Sequence, residues 1–170
     1  MFEVGEYVIF ATNGVCKVEA VGKLEMNGMS EEKLYYTLIP IHASETKIFT
    51  PVDNDKVVMR RVLSKEEALA LINDISNIEI ISIEDDKARE EVYKEAIKKC
   101  DCRELIKIIK TLYLRKETRL SEGKKVINSD ERYLKIAEEN LYEELALPLE
   151  IDRNEMGAFI IERVEALKKA

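Results

Sequence analysis

Lys56-Val57-Val58-Met59-Arg60-Arg61-Val62-Leu63-Ser64-Lys65-Glu66-Glu67-Ala68-Leu69-Ala70-Leu71-Ile72 is where the hydrophobic period of this chain changes. Before it, apolar residues come in short β-branched and aromatic runs, and Lys56–Met59 reads as the last of them. After it they recur at helical spacing. Ser64-x-x-Glu67 has the form of a capping box, in which a serine side chain and a glutamate three residues on satisfy each other's backbone N–H groups. It predicts a helix through about Ile75. The switch divides the chain into an N-terminal β-module over residues 1–62 and a helical domain over residues 63–170, an α+β architecture.

Upstream, Tyr7-Val8-Ile9-Phe10 runs into Asn13-Gly14, a strong turn signal, followed by Val15, Val18 and Val21. Leu24–Met26 leads to a second turn of this kind at Asn27-Gly28. Leu34–Ile39 ends at Pro40, and Lys47–Thr50 stops at Pro51. Five short strands at close spacing predict a small antiparallel β-barrel.

Downstream, the sequence predicts a bundle of about five α-helices. Ser76–Ile83 is ambiguous, because Ile78, Ile80, Ile81 and Ile83 suit a strand, a helix end or an apolar linker. A charged helix is expected from about Asp85 to Lys99. Asp101-x-x-Glu104 caps the next, with an apolar stripe of Leu105, Ile106, Ile108, Ile109 and Leu112, ending at Ser121-Glu122-Gly123. Asn128-x-x-Glu131 opens a fourth, with Leu134, Ala137, Leu141 and Leu145 inward and Pro148 after its end. Asp152-x-x-Glu155 caps the last, with Phe159, Ile160, Val164 and Leu167 at helical spacing.

Composition narrows the function. No apolar run approaches the roughly 20 residues of a membrane helix. The opening MFEVGEYVIF lacks a basic segment and carries Glu3 and Glu6, unlike a secretory leader, so a cytoplasmic protein is expected. Three cysteines, an odd count, fit a reducing compartment. Cys100 and Cys102 form a C-x-C pair, yet the single histidine, His42, lies far off in sequence. A four-ligand zinc site is therefore not expected, and the two read as thiols at a helix start.

The signatures of catalysis are missing. No glycine-rich phosphate loop and no G-x-S-x-G elbow occur. A Cys–His nucleophile would need His42, which sits in a loop-like stretch with no third supporting residue. Asp85-Asp86, Glu90-Glu91 and Glu138-Glu139 are adjacent on helices and so do not face each other, which makes them solvated faces rather than acid/base pairs. The expectation is a protein that is not an enzyme and carries no cofactor or metal.

Partner surfaces offer more. Tyr7, Phe10, Tyr35, Tyr36 and Phe49 suit the core of a small barrel better than a cage for a methylated side chain. Phe49 beside Lys47 stands out as an aromatic anchor next to a polar rim. The net charge is −7, but residues 101–127 hold eight Lys/Arg against four Asp/Glu. Lys107, Lys110, Arg115, Lys116, Arg119, Lys124 and Lys125 fall along one helix and the turn after it. A solvated helix face is the ordinary reading of such a run. Phosphate contacts, which position a protein without reading sequence, are the functional one.

The order of these features resembles the CarD family of transcription regulators, whose N-terminal module is shared with transcription-repair coupling factors. Phe2 to Ala20 (F-x-V-G-E-Y-V-I-F-x-x-x-G-V-x-x-V-E-A), Asn27-Gly28, Tyr35–Ile39 and Ile48-Phe49-Thr50-Pro51 carry the likeness in the first half. In the second half Arg89-Glu90-Glu91-Val92-Tyr93-Lys94, Asp101-Cys102-Arg103-Glu104-Leu105 and Leu112-Tyr113-Leu114-Arg115-Lys116 continue it. Leu120-Ser121-Glu122-Gly123-Lys124-Lys125 and Glu144-Leu145-Ala146-Leu147 complete it.

The resemblance implies a Tudor-like (SH3-like) module that binds the RNA polymerase β subunit by an edge strand. By position Leu24, Met26, Lys47 and Phe49 would carry that contact. It also implies a helical domain that meets the minor groove of promoter DNA and stabilises the open complex. Arg89, Arg115, Lys116, Arg119, Lys124 and Lys125 would hold phosphates. The chain would act in a bacterial cytoplasm, associated with the nucleoid through polymerase, and nothing demands more than a monomer. One departure is that the family places a tryptophan before the helix that starts near Asp85, as an apolar wedge, and this chain has none. Ile81-Ser82-Ile83-Glu84-Asp85-Asp86 stands there, with Ile81 or Ile83 left to wedge beside three carboxylates. The alternative is therefore a polymerase-binding adaptor with weak or no DNA binding.

Overall fold

A computed structural model describes residues 1–24 and 32–169. The chain separates into two compact units, Met1–Val62 and Leu63–Ala170.

The first unit is a five-stranded antiparallel sheet of β1 (Tyr7–Phe10), β2 (Val15–Gly22), β3 (Tyr35–Pro40), β4 (Ile48–Pro51) and β5 (Met59–Arg61). Their order across the sheet is β4-β3-β2-β1-β5. Among the described residues no ladder joins β4 to β5, so the sheet is open where the sequence suggested a closed barrel. Val8, Phe10, Cys16, Val18, Tyr36 and Leu38 form the core on one face, with Ile48 and Met59 against it. The β1–β2 turn closes through Phe10 N–H donating to the Gly14 carbonyl at 3.0 Å, with Ala11 and Gly14 both at positive φ. A register shift between Val18 and Ala20 marks a bulge in β2.

Two strand boundaries differ from the sequence reading. The last strand is Met59–Arg61 rather than Lys56–Met59, because β1 is its partner and ends at Phe10, opposite Met59. Among the described residues, those just before Met59 pair with no strand beyond one bond, Ala11 N–H to the Val58 carbonyl. Val57 and Val58, the residues that suggested a strand, are exposed. Leu24 follows the end of β2 and is half-buried. Met26 and the Asn27-Gly28 turn lie outside the described residues.

The second unit contains α1 (Lys65–Asn73), α2 (Arg89–Lys98), α3 (Cys102–Ser121), α4 (Asn128–Leu149) and α5 (Arg153–Lys169). The Ser64–Glu67 capping box is fully formed, with both side chain-to-backbone bonds at 3.1 Å. Asp101 caps α3 and the Asp152 carboxylate accepts from Asn154 N–H at the start of α5. Asn128, expected as a cap, is instead the first helical residue of α4, and Ile127 before it supplies no side-chain cap. Pro148 lies inside the last turn of α4 rather than beyond it. A proline there forfeits one backbone bond near the end, while Ala146 and Leu149 around it still pack on the core.

The ambiguous isoleucine stretch is neither strand nor α-helix. A 3-10 turn over Ile75–Asn77 leads into an irregular segment. That segment is tied to α3: Lys110 Nζ donates to the Ile75 and Ile78 carbonyls, and Ile81 N–H donates to Thr111 Oγ1 at 2.9 Å. Ile78 is buried, and Ile81 and Ile83 pack on the helical core. The core itself gathers Leu71, Ile72, Tyr93, Leu105, Ile108, Leu112, Leu134, Leu141, Leu145 and Met156 from all five helices.

Removing buried methylenes here leaves a cavity that the packed helices cannot fill. Leu145→Ala is expected to cost about 2–5 kcal/mol in denaturant unfolding. Leu167→Ala, at an exposed position on α5, is expected to stay within about 0.5 kcal/mol of the parent.

Candidate functional site

Six basic side chains of the helical unit were expected on phosphates, and the structure divides them. Arg89, the first residue of α2, places Nε 3.2 Å from Asp130 Oδ1 and Nη2 2.7 Å from Ser129 Oγ. Arg115, midway along α3, places Nε 3.1 Å from Asp130 Oδ2 and Nη2 3.0 Å from Asp86 Oδ1. Asp130, in the first turn of α4, is 5% exposed and accepts one guanidinium on each oxygen. Beneath it the fully buried Tyr93 hydroxyl is held protonated, its pKa pushed up by burial and then by the Asp130 carboxylate. This cluster joins α2, α3, α4 and the 3-10 turn over Asp86–Ala88.

The other four lie outward. Lys116 Nζ is 3.2 Å from Glu131 Oε1, and Lys124 Nζ is 3.1 Å from Glu122 Oε2. Exposed pairs such as Lys124–Glu122 hold side chains only weakly in water. Arg119 donates through Nε to the Lys125 carbonyl at 2.8 Å. Lys125 is exposed and has no carboxylate partner among the described residues. Of the remaining cations on α3, Arg103 pairs with Asp74, Lys107 pairs with Glu104, and Lys110 is occupied by the Ile75 and Ile78 carbonyls.

Asp130 and Ser129 were not singled out in the sequence, and Asp86 was read with Asp85 only as part of a solvated acidic face, not as a partner of Arg115. Asp130 sits inside Asn128-x-x-Glu131, which looked like a cap, and no local spacing links it to residues 41 and 15 positions away. Glu144 was also missed. It is 2% exposed, accepting from Leu63 N–H at 3.0 Å and from the Cys102 thiol at 3.1 Å. Cys16, Cys100 and Cys102 are buried, and no metal-holding group of His, Cys, Asp or Glu occurs among the described residues. No helix among them is long and apolar enough to cross a membrane.

In the first unit β4 pairs only with β3 among the described residues. Val52 N–H donates to the Leu34 carbonyl at 3.0 Å, and the same register sets Thr50 opposite Tyr36 and Ile48 opposite Leu38. Hydrogen-bonded pairs alternate along an antiparallel ladder. Ile48, Thr50 and Val52 therefore turn their peptide groups to β3, and Phe49 turns its own to the outer edge. Pro51 falls at the next outward position, where a missing N–H costs the sheet nothing. The family model described as CarD-like/TRCF RID domain matches residues 2–63. This N-terminal segment is a CarD-like/TRCF RID domain. No curated protein matches the chain.

Within the RID domain, Phe49 is half-buried and lies outside the core cluster, on the face opposite Ile48. Lys47 precedes β4 and its Nζ is 3.5 Å from Glu19 Oε2, both side chains exposed. Leu24 lies two residues beyond β2, and Met26 falls outside the described residues.

Asp130→Ala would strand two guanidinium groups in a largely buried site. A loss of about 3–5 kcal/mol of unfolding free energy is expected, against less than about 0.5 kcal/mol for Lys124→Ala. Urea titration followed by circular dichroism compares the two.

Proposed function

We propose that this protein is a non-enzymatic transcription regulator that docks on the RNA polymerase β subunit through its RID domain and contacts promoter DNA with its helical unit. The match of residues 2–63 to a CarD-like/TRCF RID domain carries the reading. The outward peptide groups of Phe49 support docking by strand addition, in which main-chain bonds give affinity and side chains give specificity. Leu24, Met26, Lys47 and Phe49 surround that edge in this proposal. The module is then Tudor-like, its open sheet completed by the partner strand. The protein works as a monomer in a bacterial cytoplasm, at the nucleoid through polymerase.

For DNA, Lys116, Arg119, Lys124 and Lys125 are the side chains that would reach phosphates along the minor groove and so stabilise an open complex, with Lys116 and Lys124 exchanging their surface carboxylate partners for phosphate. Arg89 and Arg115 act behind them, since their guanidinium groups serve Asp130. That same engagement favours a second reading, a polymerase-binding adaptor with little DNA affinity. Ile81 and Ile83 are partly buried against the core, which leaves less of either side chain to serve as a wedge in both readings.

Phe49→Asp is expected to abolish binding to a β-subunit fragment in a pull-down while the circular dichroism of the helices is unchanged. Retained binding would place docking elsewhere. Lys124→Glu combined with Lys125→Glu is expected to weaken DNA binding alike for all sequences and to flatten its salt dependence. Loss confined to one promoter sequence would contradict a phosphate role, and wild-type protein without salt-sensitive DNA binding would favour the adaptor.

A further inference from the structure

Asp86 is an exposed carboxylate set against two largely buried cations. Arg115 Nη2 lies 3.0 Å from its Oδ1 and Arg89 Nη1 4.0 Å from its Oδ2. The Asp86 side chain is 68% exposed, against 24% for Arg115 and 15% for Arg89. The pairs Arg103–Asp74 and Arg132–Glu90 are different, each joining one exposed arginine to one partly exposed carboxylate. Behind Asp86 both arginines are fixed, Arg89 by Asp130 and Ser129 and Arg115 by Asp130. Two guanidinium groups on one buried carboxylate leave one positive charge over, and Asp86 meets it from the solvent side. Planar guanidinium groups held in place from behind, with outer N–H groups still to offer, are suited to a phosphate.

The Asp86 carboxylate is not needed by the backbone around it. Asp85 caps the 3-10 turn over Asp86–Ala88, its Oδ1 accepting from Lys87 N–H at 3.0 Å, and Ala88 N–H closes the turn on the Asp85 carbonyl at 3.0 Å. Arg89 Nη1 also donates to the Asp86 carbonyl at 3.2 Å, a bond that any residue at this position keeps. The turn therefore holds its shape when the carboxylate rotates away. Asp86 is a counter-ion that water can take back, since exposed partners are held weakly, whereas Arg89 and Arg115 cannot leave Asp130 without stranding its charge.

Resting on the DNA reading above, we infer that Arg89 and Arg115 form a phosphate site that Asp86 fills in the free protein, so that Asp86 restrains DNA binding as an internal competitor. With Asp86 in place the two arginines stand behind the cations at the end of α3. With it displaced, they present a second place for a phosphate.

The test compares the full-length protein with Asp86→Asn and Asp85→Asn, which remove the same charge one residue apart. Asparagine caps as well as aspartate, so the second variant keeps the turn. Each protein is titrated with duplex DNA over a range of salt, and each is melted in inorganic phosphate and in chloride at equal ionic strength. Asp86→Asn is expected to bind DNA roughly three- to fivefold more tightly than the parent, with a salt dependence steeper by about one phosphate contact. Phosphate is expected to raise its Tm more than that of the parent. Asp85→Asn is expected to match the parent in salt dependence and in its response to phosphate. If the two variants behave alike in all three measurements, Asp86 is one surface charge among others and the inference is overturned, while salt-sensitive binding by the parent still upholds the DNA reading. If phosphate stabilises Asp86→Asn selectively but none of the three proteins binds DNA, the phosphate site stands and both the DNA reading and the restraint on it are overturned.

Discussion

Two guanidinium groups meet one carboxylate where α2, α3 and α4 converge, and the helical unit depends on their balance. Asp130 is nearly inaccessible to water, so its charge is tolerated only because each oxygen has its own arginine. Arg89 is further held by Ser129, and Arg115 reaches out to Asp86. The network therefore fixes the entry to α2, the middle of α3 and the start of α4 together. It also lets α4 begin at Asn128 with no side-chain cap from Ile127 before it, since α2 and α3 grip its first turn through Asp130.

That arrangement determines which surface remains for partners. Basic residues that look alike in sequence have different work: Arg89 and Arg115 neutralise a buried charge, and Lys110 holds the carbonyls of the segment after α1. Lys116, Arg119, Lys124 and Lys125 are left at the outer end of α3 and its turn. While Asp86 stays on Arg115, any phosphate contact is thus concentrated at one end of the helix rather than spread along it. In the RID domain a comparable restriction comes from Pro51. It can occupy β4 because its missing N–H would face away from β3, and it thereby ends the outward run of donors at Phe49.

Local signals in the chain were legible where the physics is local. Ser64 and Glu67 cap each other through side chains three residues apart, and the bonds formed as their spacing implied. Asp101 and Asp152 also cap their helices, but each accepts from the backbone N–H two residues on rather than exchanging bonds with the glutamate three residues on. Lys56–Met59 misled, because a β-branched run becomes a strand only where a neighbouring strand is long enough to pair with it. Asn128 misled because a cap is one use of a polar residue near a helix start, and here Asp130 in the same turn answers to distant arginines.

By itself the sequence determined the change from strand period to helix period, the caps of α1, α3 and α5, and the likeness of residues 2–63 to a polymerase-interacting module. Each follows from residues close in the chain or from a linear pattern of types. Only the tertiary structure decided that β4 is an edge with Phe49 facing outward, that Ile81 and Ile83 turn to the core, and that two of six candidate arginines and lysines are bound to Asp130. Those outcomes depend on which residues, far apart in sequence, share a buried environment, where an unpaired charge or peptide group is too costly to leave alone.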